Sequence, residues 1–227
     1  MKRGKKYEEA LKKFDSRQLY PLDRAVEIVK DTAFAKFDET VELSLRLNVK
    51  AKHSIRDTLV LPHGFRAEKR ILVFAKGEKA EEARAAGAAF VGEADLVEKI
   101  QGGWLDFDVA VATPDMMKDV GKLGPILGRR GLMPNPKTKT VTFELKQAIE
   151  ELRRGRVEFR GDKTGVVHMP IGKVSMEKEK ILDNARLLIQ EVERKRPSDV
   201  KGEFILSIAV ASTMGPGVMV NHKEKAW

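Results

Sequence analysis

Val41-Glu-Leu-Ser-Leu-Arg-Leu-Asn-Val49 alternates apolar and polar residues without exception. That pattern predicts a strand with one buried face and with Glu42, Ser44, Arg46 and Asn48 on the other. A second alternation lies near the far end of the chain. Phe204, Leu206, Ile208 and Val210 form an apolar set, interleaved with Ile205, Ser207, Ala209 and Ala211, a set of mostly small residues. The strand runs into Ser212-Thr-Met-Gly-Pro-Gly217, a loop whose glycines leave backbone uncovered. All of 204–217 is uncharged, in a chain of which 34% is charged. Two readings stand: a buried central strand with an ordinary turn, or a small-residue face that another molecule's backbone can approach.

The remaining pattern falls into three parts. Residues 5–20 read as a solvated helical lead-in. Pro21 then opens a helix to Asp31 with Leu22, Ala25, Val26 and Val29 on one face. From Arg70 the texture changes. Ile71–Ala75 is a continuous apolar run, as in a strand covered on both sides. It alternates with predicted helices over 79–86, 95–101 and 143–154 and strands over 88–91 and 107–112, the spacing of a parallel, three-layer α/β unit. After Gly155 the texture reverts. Segments 157–160 and 166–169 flank Gly161-Asp-Lys-Thr-Gly165, a hairpin signature. A long amphipathic helix follows over 178–196, ended by Pro197.

Strong half-buried strands at both chain ends need partners, and a self-contained α/β insertion does not supply them. The expected fold class is therefore α+β plus α/β. A discontinuous α+β domain of split β-α-β type, 1–66 with 159–227, carries an inserted three-layer Rossmann-like domain at 67–158.

Charge sharpens this division. The 227 residues carry a net charge of +9. Residues 67–158 hold 16 Lys/Arg against 15 Asp/Glu, whereas the flanks hold 27 against 19. The basic excess sits in the ends, which makes the end-built domain the candidate nucleic-acid binder. There are no cysteines, which removes disulfides, thiolate metal sites and cysteine nucleophiles. No apolar run is long enough to cross a membrane, and no signal region follows the basic N-terminus, so a cytoplasmic protein is expected.

Enzyme motifs are missing. Gly77 is the only glycine between the 71–75 strand and its helix, so the dinucleotide fingerprint is absent. Gly121-Lys122 and Gly172-Lys173 lack the hydroxyl residue of a phosphate loop. His53, His63, His168 and His222 have no ligand-like spacing, so neither metal nor cofactor is expected. An enzyme built on the inserted domain remains the rival reading, with general DNA binding a third.

Two stretches invite a functional reading. Residues 121–140 have Gly or Pro at seven of twenty positions and five basic residues. That suits either phosphate contact or a loop packed on its own Leu and Met side chains. Lys36–Glu42, with Thr213–Pro216, combines one basic residue, an aromatic, hydroxyls, three carboxylates and glycine backbone. Glu42 can accept from a ribose 2′-hydroxyl, which DNA lacks. Phe37 either packs on a sugar or is core. Aromatics are only 6% of the chain, which disfavours a base-stacking platform.

Asp115-Met-Met117, Val120-Gly-Lys-Leu-Gly124, Gly131-Leu-Met-Pro-Asn-Pro-Lys137, Asp162-Lys-Thr-Gly165 with His168, Pro170-Ile-Gly-Lys173 and Thr213-Met-Gly-Pro216 occur in this order. Through them nearly the whole chain resembles the bacterial ribosomal-protein family "L-one", the exit-side stalk proteins of the large subunit. The resemblance implies a discontinuous first domain that binds a structured region of large-subunit rRNA. It implies contacts from Lys36, Phe37, Thr40 and Glu42, from Lys163, Thr164 and His168, and from Ser207, Ser212, Thr213, Met214, Gly215 and Pro216. Lys122, Arg129, Arg130 and Lys137 are candidates for a secondary RNA contact. Further implications are release of deacylated exit-site tRNA and repression of the protein's own mRNA at a similar RNA site. The free protein is expected to be a monomer, acting in the cytoplasm on the ribosome. Arg129 stands where the family usually has Pro, Lys139 where Gly is common, and the His222–Trp227 tail aligns with nothing.

Overall fold

The computed structural model describes residues 4–49, 55–65 and 69–224. The first three residues of the basic N-terminus, His53, the expected crossing at 66–68 and the tail's last three residues lie outside the described residues. In chain order come α1 (Lys5–Leu11), α2 (Leu22–Thr32), β1 (Thr40–Leu47), β2 (Arg56–Val60), β3 (Ile71–Phe74), α3 (Glu78–Ala85) and β4 (Phe90–Gly92). They are followed by α4 (Ala94–Gln101), β5 (Val109–Ala112), α5 (Met117–Val120), α6 (Gly124–Leu127), α7 (Leu145–Arg153) and β6 (Arg156–Arg160). The last are β7 (Val166–Lys173), α8 (Lys178–Arg194), β8 (Ile205–Ser212) and β9 (Val218–Val220). Two compact units result, Met1–Phe65 with Phe159–Trp227, and Arg66–Glu158.

In the unit made from the chain ends, four strands lie in the order β7-β1-β8-β9. β1 is antiparallel to both β7 and β8, so the strongest alternation in the sequence forms the sheet's interior. Val41, Leu43, Leu45 and Leu47 point to one side and are buried. Each contributes about 1.5–3 kcal/mol relative to exposure. Residues of α2 (Ala25, Val26, Val29) and α8 (Ile181, Ala185, Leu188, Ile189) are fully buried against this layer. Glu42 and Arg46 face away and are exposed. The sheet thus has one covered face and one open face. Asn184 is buried on α8, bonding to the backbone of His63 and Ile171.

Several predicted elements differ in extent. The lead-in helix stops at Leu11, and Tyr20 instead bridges to Val220 of β9, a strand the pattern did not reveal. β7 runs through Pro170 to Lys173, a position a proline tolerates because β7 is an edge strand. A register shift at Val41/Glu42 accommodates it. The expected hairpin across Gly161–Gly165 is reduced to one bridge, Gly161 to Val167. Here β7 spends its ladder on β1, while β6 pairs with β2. Leu206 is the clearest correction. A register shift at Arg46/Leu47 moves it out of the apolar set, leaving it 39% exposed while Ile205 is buried.

The other unit has a parallel sheet, β4-β3-β5, with an apolar layer on each face. Leu72, Phe74 and Ala112 pack with α4 (Leu96, Val97, Ile100) on one side. Ile71, Val73 and Val111 pack with α3 (Ala80, Ala83) and α7 (Leu145, Ile149, Leu152) on the other. Strand coverage on both faces explains the continuous apolar run at 71–75.

Residues 121–140 are folded rather than open. Helical turns continue through Leu127, burying Leu123 and Leu127 completely, with Leu132 and Met133 packed beside them. Asn135 then caps a short 3₁₀ turn and exchanges hydrogen bonds with Thr138 and Thr140. Of the two readings of this stretch, self-packing describes its Leu and Met residues. Lys139 has φ +52°, the left-handed conformation that favours glycine.

Candidate nucleic-acid interface

The β1–β8 register sets the geometry. Val41 pairs with Ser212, and Thr213 extends that ladder with its side chain. The Thr40 amide donates to Thr213 Oγ1 at 2.9 Å, and this hydroxyl returns a bond to the Thr40 carbonyl at 3.3 Å. One acceptor lone pair of Thr213 stays free. Residues 36–42 and 213–216, about 170 positions apart in sequence, are therefore brought to one end of the sheet.

Glu39 organises that end. Its side chain is 2% exposed, yet it accepts from the amides of Phe34 (2.9 Å), Ala35 (2.7 Å) and Met214 (3.0 Å). Burial opposes its ionisation. The Ser212 hydroxyl and the Ala35, Met214 and Phe34 amides outweigh burial and hold the carboxyl below its ordinary range. The Ser212 hydroxyl is buried close by. Gly215 lies over it. A β-carbon there would sit 2.4 Å from Ser212 Oγ, so a side chain at 215 requires that hydroxyl to move.

On the neighbouring edge, Lys173 Nζ donates to Thr40 Oγ1 at 2.8 Å and to the Asp38 carbonyl at 3.3 Å. Asp38 accepts from the Ser175 hydroxyl and amide, and these bonds, with Lys173 nearby, keep its carboxyl below the usual value despite some burial. Two large apolar side chains project from this end: Phe37 is 56% exposed and Met214 51%. Phe37 is therefore no core residue. Lys36 is exposed beside it.

The open face extends from here. Glu42 lies between Ala211 and Pro170, Ser44 between Ala209 and His168, and Arg46 between Ser207 and Val166. Ser44 Oγ and His168 Nδ1 are 2.9 Å apart. Small residues on β8 keep the face flat around Glu42. Lys163 and Thr164 sit at the opposite end of β1, about 23 Å away at ~3.3 Å per residue. Asp162 holds their turn by accepting from the Val166 and Thr164 amides and the Thr164 hydroxyl. Those bonds lower its pKa. Gly165, at φ +81°, brings the turn against Leu47 and Val49.

Most candidate residues thus share one face or its two ends. Ser212 and Pro216 are buried and bear on a ligand only through the loop they support. Lys122, Arg129, Arg130 and Lys137 are exposed on the other unit, Lys122 paired with Asp119 at 3.0 Å. Sequence reading missed Glu39 and Lys173. A carboxylate before a strand reads as solvated, and no periodicity marks it as buried. Lys173 closes the Pro170–Lys173 motif, which was its only signal.

Residues 29–216 match the Ribosomal protein L1p/L10e family. The chain belongs to that family. It is 59% identical over 98% of its length to the large ribosomal subunit protein uL1 of Treponema denticola, covering 99% of that relative. The corresponding proteins of Borreliella burgdorferi and Treponema pallidum are 58% and 55% identical. The alignments cover 97% and 99% of this chain, and 97% and 100% of those relatives. The L1p/L10e match spans both 36–42 and 213–216, so it covers both halves of the candidate interface. Among the described residues, no helix of this family member is long and apolar enough to cross a membrane. No cluster of three or more His, Asp or Glu among them is arranged to hold a metal.

Proposed function

We propose that this L1p/L10e-family protein binds structured large-subunit rRNA through the open face of its four-stranded sheet and the Thr213–Pro216 loop. It is a structural ribosomal protein of the large subunit, not an enzyme, and as such cytoplasmic in a bacterium. The observation that carries the reading is the pairing of Thr40 with Thr213, which sets Phe37, Glu42 and Met214 about one flat, small-residue surface.

Each group has a chemical part. Glu42 accepts from a ribose 2′-hydroxyl, and Thr213 Oγ1 has one lone pair left for another. Phe37 and Met214 pack on sugar edges. Lys36, Lys163, Arg46 and Lys173 neutralise phosphate, which makes affinity fall with salt. The Gly215 backbone admits close approach of the RNA chain.

The same surface, on this reading, takes a similar site on the protein's own mRNA and represses translation. The bound stalk takes part in releasing deacylated exit-site tRNA, with Lys122, Arg129, Arg130 and Lys137 as secondary RNA contacts. The end-built unit is the RNA-binding domain. A competition assay tests the central part. An rRNA stem-loop competes for the protein, whereas the same stem-loop with 2′-deoxyriboses at the contact loses at least tenfold. Equal competition by the all-DNA form contradicts ribose reading and favours general nucleic-acid binding.

A further inference from the structure

We infer that Met214 is a site of selective oxidation, at which conversion of the thioether to the sulfoxide switches off RNA binding by the free protein. The inference rests on the RNA-binding role of the Thr213–Pro216 loop and adds a chemical control to it.

Seven of the eight methionines lie among the described residues. Met116 and Met169 are each 1% exposed, in the cores of the two units. Met117 and Met133 pack against the apolar layer of the α/β unit. Met176 sulfur receives the Lys173 amide at 3.3 Å, and Met219 is half-buried in β9. Met214 alone among them is open, at 51%. Oxidation of a thioether needs collision with a dissolved oxidant, so exposure ranks the sites.

The backbone beneath Met214 is rigidly held, its amide bonded to the buried Glu39 carboxylate. Its side chain therefore leaves the loop from a fixed root. With hydrogen peroxide as oxidant, one peroxide oxygen is transferred to sulfur as the O–O bond breaks. The thioether loses two electrons, and the peroxide is reduced to water.

The sulfoxide is a strong acceptor with no donor, on a side chain that was apolar. On the proposed reading the ribose 2′-hydroxyls at the site donate to Glu42 and Thr213, so the sulfoxide meets phosphate oxygens, which are also acceptors, and apolar sugar edges. Either contact strips water from the sulfoxide without a replacement hydrogen bond. Bound RNA covers the loop, so the free protein is the form exposed to oxidation. Methionine sulfoxide reductases reverse the change.

The full-length protein, free and bound to an rRNA stem-loop, is treated with limiting hydrogen peroxide and mapped by peptide mass spectrometry. Met214 is expected to oxidise before the other six described methionines in the free protein, and at least fivefold more slowly in the complex. The oxidised protein is expected to bind the stem-loop about tenfold more weakly, and sulfoxide reductase to restore it. Met214→Leu, whatever its own starting affinity, is expected to show no further fall on the same treatment. Preferential oxidation elsewhere overturns the inference. So does complete Met214 oxidation with unchanged affinity. In that case Thr213→Ala separates the two claims: if it still weakens binding, only the oxidation switch fails, and if it does not, the loop's RNA role fails as well.

Discussion

The Glu39 carboxylate and the Met214 amide, 175 residues apart in sequence, are joined by a 3.0 Å hydrogen bond inside the protein. The same carboxylate holds the Phe34 and Ala35 amides. One buried charge thus fastens the segment that enters β1 to the loop that leaves β8, and the proposed RNA site is built on both.

Removing that charge has a calculable effect. Glu39→Ala leaves three amide donors without their acceptor, and hydrogen bonds to a charged group are worth about 1.5–3 kcal/mol each before relaxation and water entry. A loss of about 3 kcal/mol in stability is expected, measured by urea unfolding, together with weaker RNA binding. Unchanged stability contradicts the role assigned to Glu39.

The pH dependence has a definite sign. Glu39 is held below its ordinary pKa in the folded protein, so its contribution is fully present above the unfolded value of about 4.3 and is lost as pH falls through the lower folded value. Glu39→Gln cannot titrate. The stability gap between wild type and Glu39→Gln should be constant above about pH 5.5 and narrow as the pH drops below about 4.3. A gap that widens in acid would reverse the sign of the argument.

Gly215 and Ser212 form a coupled pair. A methyl at 215 would lie 2.4 Å from Ser212 Oγ, and overpacking of this kind costs about 1–3 kcal/mol. Gly215→Ala is expected to destabilise by that amount, and adding Ser212→Ala to recover most of it. Additive losses in the double-mutant cycle would show that the two sites do not interact.

Lys139 concerns the other unit. Its left-handed backbone costs a residue with a β-carbon about 1–2 kcal/mol, offset by about 0.5–1 kcal/mol for glycine's greater freedom when unfolded. Lys139→Gly is expected to stabilise by about 1 kcal/mol in urea unfolding. Destabilisation would mean that the Lys139 side chain contributes more than its backbone costs.

Much of this architecture was legible in the sequence, because period-two alternation is decided locally. Val41–Val49 could form little else than a half-buried strand, and Ile71–Ala75 little else than a doubly covered one. Leu206 was misread for the same reason: alternation assumes an unbroken ladder, and the register shift opposite Arg46 is set by the neighbouring strand. The hairpin at 161–165 has the right turn residues, but competition for β7 by β1 is a tertiary fact. Thr213 lies in the Thr213–Pro216 motif, and Glu42 stands on the polar side of the 41–49 alternation. Glu39 could not be named, because three amide partners from two distant segments are what make its burial tolerable.

The most direct test of the central claim is the dissociation constant of Thr213→Ala and Glu42→Ala for a large-subunit rRNA stem-loop, with Thr213→Ser as the conservative control. Each alanine variant should bind weaker by about 1–3 kcal/mol, roughly five- to 150-fold, with Thr213→Ser close to wild type. Wild-type affinity in both alanine variants would contradict an RNA site on this face of the sheet.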